Sequence, residues 1–94
     1  MTTARIKVDK RIKPLHPSKR KVFEPVIGEQ YYVCYESHYA RRCRLVSIDD
    51  ARKPAGITVR VPMRKGRAIY EDILSLFIDE IGRTPEEAVQ NKLV

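Results

Sequence analysis

Three arginines of this chain have the spacing that contact with phosphate groups requires. Arg42 and Arg44 lie two residues apart, and Arg60 alternates with apolar residues in a later segment. Alternate residues of a β-strand project from the same face, so these guanidinium groups would form one basic surface on neighbouring strands. A planar guanidinium binds phosphate oxygens through two parallel hydrogen bonds and stacks on bases. The pattern therefore predicts a nucleic-acid-binding face, and a solvated face without a ligand is the alternative.

Further basic and aromatic residues extend this candidate surface. The other basic candidates, in the loops and in the N-terminal region, are Lys53, Arg64, Lys65, Arg67, Lys19, Arg20 and Lys21. Tyr32 would offer a stacking platform for a base. Tyr35 and Tyr39 are possible aromatic contacts beside the first predicted hairpin.

The distribution of charge favours a polyanionic partner. The 94 residues have a formal net charge of +7. Residues 1–24 hold eight basic and two acidic residues, 25–67 hold nine and four, and 68–94 hold two and six. Such a gradient is typical of proteins that bind DNA, RNA or an acidic protein. Because Pro14 and Pro17 block a continuous helix, we predict that residues 1–24 form a flexible basic arm, with a short strand at 5–8 as the alternative.

The sequence contains no constellation of residues for catalysis or metal binding. His16 and His38 have no nucleophile or metal ligand at motif spacing, so we predict a non-enzymatic protein without a cofactor or a metal. Cys34 and Cys43 fit no metal or redox motif. Two reduced, buried thiols are expected, with a cross-strand disulfide as the alternative. The lack of an apolar run as long as a signal peptide or membrane helix predicts a cytoplasmic protein without a membrane partner.

The candidate surface needs strands to hold it, and residues 28–63 have the alternation of three. The predicted strands cover 28–35, 39–48 and 56–63, and a fourth short strand covers 68–70. The broken alternation at Val46-Ser47-Ile48 predicts a bulge or a sharp bend. The residues that alternate with the arginines and polar positions form the predicted core, which consists of Val33, Cys43, Leu45, Ile57, Val59 and Val61.

Two segments after residue 69, 70–81 and 85–92, have sequence patterns that are typical of helices. The apolar residues of 70–81 follow helical spacing, and burial of that stripe favours a helix that ends at Gly82. Thr84, Pro85 and Glu87 then match an N-cap, a first helical position and a capping box, which predicts a helix over 85–92.

The order of these patterns resembles the small SH3-like barrels of the Tudor type. Gly28 opens the first strand, Tyr39-Ala40 open the second, a β-branched run forms the third, and an acidic-apolar stretch follows the fourth at 70–74. The resemblance implies a mainly β domain over 25–94, built as a barrel of about five strands with a C-terminal helical extension and used for binding. In place of the helix over 70–81, it implies a turn at 72–74 followed by a closing strand at 75–78. Some Tudor domains enclose a methylated ligand in an aromatic cage. The resemblance implies that Tyr35 and Tyr39 would begin such a cage, and ordinary packing of these rings is the alternative.

Together these patterns predict a nucleic-acid-binding accessory module that uses a basic sheet face and a basic arm. The alternative is a protein-interaction adaptor, in which the barrel or the apolar stripe of 70–81 binds a partner and the basic face meets an acidic protein or peptide. The sequence leaves open the choice between DNA and RNA and the oligomeric state.

Overall fold

A computed structural model describes residues 5–92 of the chain. The fold is mostly β with one short helix, as the alternation predicts. The first four residues of the predicted arm and the last two of the predicted domain lie outside the described residues. In chain order the elements are β1 (Ile6–Lys7), a first 3₁₀ turn (Pro17–Lys19), β2 (Gln30–Glu36), β3 (Tyr39–Asp49), β4 (Gly56–Lys65), β5 (Ala68–Phe77), a second 3₁₀ turn (Ile78–Glu80) and α1 (Pro85–Gln90).

The five strands form one open antiparallel sheet in which β3 is central. β2 pairs with the first part of β3 along one edge, from Gln30 opposite Arg44 to Glu36 opposite Tyr39. β1 pairs with the start of the other edge, and β4 pairs with the second part of it. β5 then pairs with β4 along its whole length.

The main core lies on one face of the sheet, which we call the inner face. All six side chains that the alternation predicts as core are at most 3% exposed, which confirms that prediction. Tyr31, Leu76 and Ile81 complete the cluster. The pairing register shifts between Leu45 and Ser47, so the predicted bulge is also confirmed.

A second apolar cluster lies on the opposite, outer face, where α1 packs on β2 and β3. Its buried members are Val8, Cys34, Ala40, Ala88 and Val89. The two cysteines therefore belong to clusters on opposite faces, and both are free and buried, which confirms the prediction of reduced thiols.

The helix α1 begins as its capping signals predict but ends at Gln90, two residues early. The Thr84 hydroxyl accepts a hydrogen bond from the Glu87 backbone N–H at 3.1 Å. The Glu87 carboxylate accepts from the Arg83 N–H at 3.1 Å, one residue before the partner that a capping box would use. Within residues 5–92, no helix has the length and apolar character needed to cross a membrane.

The prediction of a helix over 70–81 is wrong. β5 continues the predicted fourth strand to Phe77, so the predicted turn at 72–74 is also absent, and only Ile78–Glu80 forms a 3₁₀ turn. The reason lies in the partner strand: β4 and β5 pair at ten successive positions, from Gly56 opposite Phe77 to Lys65 opposite Ala68. This ladder satisfies backbone groups of both strands, whereas an isolated helix of that length is marginal in water.

After β5 the chain returns to the far edge of β2. Ile81 is fully buried in the main core, and Gly82 forms an isolated antiparallel bridge with Tyr32. The two backbone hydrogen bonds of this bridge are both 2.9 Å long. The segment thus links the last strand of the sheet to its first long strand.

The segment predicted to be a basic arm has a defined course from residue 5. β1 confirms the short strand that was the alternative for residues 5–8. Farther along, the Leu15 N–H donates to the Gln90 carbonyl at 2.8 Å, and the Phe23 ring lies 5.3 Å from that of Tyr31. Mobility of this segment stays a prediction.

Candidate nucleic-acid interface

The outer face carries a row of side chains that crosses four strands. The register places Arg44 opposite Gln30 on one side and opposite Arg60 on the other, and Arg60 lies opposite Ile73. Directly opposed residues of adjacent strands lie about 5 Å apart and point to the same face. Arg42 precedes Arg44 by two residues and shares that face. The three arginines predicted from their spacing are therefore neighbours.

Gln30 and the three arginines line a groove of about 800 Å³, which we call the arginine groove. All three arginines are exposed to solvent. Its walls are completed by Cys43 of β3 and, from the hairpin formed by β4 and β5, by Pro62, Ile69, Tyr70 and Glu71. The groove thus combines positive charge for phosphate oxygens with apolar surface for a sugar or a base.

The three guanidinium groups differ in the hydrogen bonds and ion pairs that they form with other residues of the chain. An Arg44 Nη1 hydrogen bond to the Gly28 carbonyl oxygen holds that side chain along the sheet. The Arg60 Nη1 atom lies 4.0 Å from Glu71 Oε1, with both side chains more than half exposed, so this pair contributes little to stability. Among the described residues, Arg42 has no ion pair or side-chain hydrogen bond. Positive charge is therefore available in the groove.

Tyr32 lies beside the arginine groove, opposite Arg42 in the register. Its ring is half-buried because it packs against the second cluster, and its hydroxyl lies 3.5 Å from Gln30 Nε2. Tyr32 does not line the groove, so the structure does not place it as the predicted stacking platform.

The structure places Tyr35 and Tyr39 away from the groove, near the β2–β3 hairpin. The Tyr35 hydroxyl donates to the Met63 sulfur at 3.7 Å, and burial is the main cause that raises the pKa of Tyr35. The Arg5 guanidinium carbon lies 4.4 Å from the centre of the Tyr39 ring. Tyr39 therefore already has a cation of its own chain on its ring, as expected of packing.

The other basic candidates do not gather at the groove. Lys53 lies in the loop that joins β3 to β4, whereas Arg64, Lys65 and Arg67 lie at the opposite end of β4. Arg64 shares a face with Arg60 but is four residues, or about 13 Å, farther along the strand. All four are exposed cations outside the lining of the groove.

Of the three N-terminal candidates, Arg20 has a structural role. Its side chain is only 6% exposed, Nη2 donates to the Lys92 carbonyl at 2.7 Å, and Nη1 lies 3.9 Å from the Asp79 carboxylate. These contacts tie the N-terminal segment to the end of the chain, so we exclude Arg20 from the interface. Its neighbours Lys19 and Lys21 are exposed but do not line the groove.

Sequence reasoning missed several residues of the groove. Gln30 was identifiable, because it alternates with Tyr31 and so faces outward. Glu71 was not, because the prediction of a helix over 70–81 hid its alternation on β5, and Ile69 lay in the predicted fourth strand without an assigned face.

The histidines have local structural partners. His38 Nε2 lies 2.8 Å from the Ile12 carbonyl oxygen, which holds the N-terminal segment near the β2–β3 hairpin. His16 Nδ1 lies 2.8 Å from Ser18 Oγ. Within the part of the chain that the structure describes, no three potential metal ligands converge.

Comparison with protein-family models, with curated proteins and with solved structures finds no match for this chain. The chemistry of the arginine groove is therefore the basis on which a function is assigned.

Proposed function

We propose that the protein binds nucleic acid in the arginine groove and has no catalytic activity. The observation that carries the proposal is the placement of Arg42, Arg44 and Arg60 as neighbours on one exposed face. Three like charges at this spacing repel one another in the free protein, and the charge of a phosphate backbone would relieve that repulsion. DNA and RNA share this backbone, so the proposal covers both.

The shape of the groove favours a single strand over a duplex. Duplex readout requires an element that enters a groove of the DNA, such as a helix or a two-stranded ribbon, whereas this surface is itself concave. One strand can place its phosphates on the arginines and its rings against Pro62 and Ile69. We therefore expect single-stranded oligonucleotides to bind more tightly than duplexes of the same length.

We also propose that the fold is an SH3-like barrel of the Tudor type. The bridge between Gly82 and Tyr32 supports it, because this contact brings the chain after β5 to the free edge of β2. If the bridge closes the barrel, the backbone amides of both residues should exchange slowly with solvent. Fast exchange at both residues would indicate that the sheet is open and would contradict the barrel.

We also propose that the protein resides in the cytoplasm. The free, buried thiols support a reducing compartment, and imaging of a tagged protein tests whether that compartment is the cytoplasm.

A salt series with matched variants tests the nucleic-acid proposal. The triple variant Arg42→Gln, Arg44→Gln, Arg60→Gln removes three charges from the groove. The control variant Lys19→Gln, Lys21→Gln, Lys53→Gln removes three exposed charges from elsewhere and leaves the same net charge. Binding of a labelled single strand is measured by fluorescence anisotropy at several salt concentrations, with circular dichroism to verify folding.

The groove variant should reduce the log-log salt slope by about 2, because each phosphate contact on a single strand contributes about 0.7. The control should keep the slope of the wild type and lose affinity only through weaker long-range attraction. Equal losses in the two variants, or no binding by the wild type at low salt, would contradict the proposal.

A protein-interaction adaptor is the second candidate, and one observation favours it. Ile69 and Ile73 are about two-thirds exposed beside the arginines, a combination that suits an extended acidic peptide with apolar residues. Affinity capture after nuclease treatment separates the two functions. Partners that survive the nuclease and are lost in the groove variant would support the adaptor.

A further inference from the structure

The strand β5 leaves one long edge of the sheet without a partner among the described residues. The sheet order ends at β5, whose pairing is with β4 alone. β5 has ten residues and contains no proline, and its ladder has no register shift. Natural proteins protect such edges with short strands, bulges, prolines or a covering element, because an open edge is a template for pairing with another chain. Charged side chains are a further device, and β5 has two, Glu71 and Asp72. At its end the Phe77 N–H already donates to Glu80 Oε1 at 2.7 Å. The backbone groups that residues 69–75 direct to this edge have no partner among the described residues.

The outer side of β5 carries an apolar stripe along this edge. Ile69 is 63% exposed, Ile73 is 66% exposed and Phe77 is 43% exposed. They alternate on one face with Glu71 and Ser75. Exposed apolar side chains in a row along an unpaired strand mark an interaction surface more strongly than scattered ones do.

We propose that β5 pairs antiparallel with β5 of a second copy of this chain, around a two-fold axis at Ile73. The stripe is symmetric about that residue, since Ile69 and Phe77 each lie four positions away. Each Ile69 therefore meets Phe77 of the other copy, and the two Ile73 side chains meet on the axis. A two-fold interface requires such self-complementarity.

The charges of β5 are compatible with this register and exclude its neighbours toward the start of the strand. With Ile73 on the axis, Glu71 lies opposite Ser75 and Asp72 lies opposite Leu74, so no like charges are opposed. Moving the axis to residues 71 or 72 would oppose acidic side chains directly, which is destabilising. The shared edge is about 30 Å long, which makes a small interface, so the dissociation constant lies in the micromolar range.

The pairing has a consequence for the arginine groove. Outer-face residues meet outer-face residues, so the two grooves lie on the same side of one continuous sheet. The two Arg60 positions are separated by three strand spacings, or about 14 Å. One bound strand can then contact both grooves. Dimer formation itself does not require nucleic acid, so the two proposals fail separately.

Sedimentation measurements on nucleic-acid-free protein, from micromolar to several hundred micromolar, test the pairing. The wild type should change from monomer to dimer across this range. Ile73→Lys places two ammonium groups at the axis and should weaken association at least tenfold. Val22→Lys, at a position 62% exposed in the N-terminal segment, is the matched control and should associate like the wild type. A wild type that stays monomeric throughout would overturn the proposal and leave this edge for a different protein.

Cross-linking tests the register. Opposed residues of antiparallel strands have Cα atoms about 4.5–5.5 Å apart, within the range of a disulfide. Ile73→Cys should therefore form a covalent dimer under mild oxidation with diamide, while the native thiols stay buried. Ser75→Cys faces Glu71 of the other copy and should cross-link far more slowly. Equal rates for the two variants, or association unchanged in Ile73→Lys, would refute pairing about Ile73.

Discussion

Replacement of Gly82 by alanine tests how the C-terminal segment is attached to the sheet. A Cβ atom at this position would lie 2.3 Å from the Ala88 nitrogen and 2.6 Å from the Glu87 carbonyl carbon. Both are backbone atoms of α1, so no flexible side chain can move aside. Ordinary contact requires roughly 3.4 Å, and the helix or the bridge to Tyr32 must therefore shift by about 1 Å.

The cost follows from what that shift disrupts. Overpacking in a tight site costs about 1–3 kcal/mol. Each of the two hydrogen bonds between Gly82 and Tyr32 contributes about 1 kcal/mol more if it is lost. Gly82→Ala should therefore reduce the free energy of unfolding by about 2–5 kcal/mol, and a domain of this size loses about 4–8 °C of Tm per kcal/mol.

Urea denaturation followed by circular dichroism measures this loss. Gly66→Ala is the matched control, because Gly66 has φ 61° but no atom within 4 Å of the added Cβ. That variant should lose only about 1–2 kcal/mol of unfolding free energy, which is the cost of a left-handed backbone conformation for alanine. If Gly82→Ala is no less stable than Gly66→Ala, the close approach of α1 to the bridge is not real.

Two further predictions concern titratable groups. Burial raises the pKa of Cys43 from its ordinary value of 9.0 to about 12, so stability is fully present below pH 9 and falls as pH rises toward 12. Alkaline unfolding measures this, and Cys43→Ser, compared at each pH, should flatten the dependence in that window. Burial alone would raise the pKa of Glu87, but hydrogen bonds from Arg83 outweigh it and lower the pKa below 4.5. Glu87→Gln should therefore destabilise at pH 7, and its deficit should shrink as pH falls through the folded pKa; a constant deficit would contradict the ion pair.

Alternation predicted the sheet and its core because the side-chain period of a strand acts locally. Val33, Leu45 and Val59 face the core as their neighbours in sequence indicate, and the core thiol of Cys43 follows the same rule. The prediction of a helix over 70–81 was wrong because the apolar residues of this segment are compatible with both the helical and the strand period. The choice was made by pairing with β4, which is a contact between segments and not a property of either one.

Only part of the arginine groove could be predicted from the sequence, because the rest depends on contacts between segments. Arg42 and Arg44 share a face by their spacing alone, but the position of Arg60 beside Arg44 depends on the register of β3 and β4. The role of Arg20 depends on contacts with Asp79 and Lys92, which are distant in sequence. A count of basic residues could not separate a buried guanidinium from an exposed one.

A chemical-shift titration tests the central claim most directly. Isotope-labelled protein is mixed with a single-stranded oligonucleotide of about eight nucleotides at low salt, within the site size of similar surfaces. Binding in the arginine groove predicts the largest changes at the side chains of Arg42, Arg44 and Arg60 and at the amide of Gln30. Changes confined to Lys19, Lys21 and Lys53, or a spectrum that does not change at all, would contradict it.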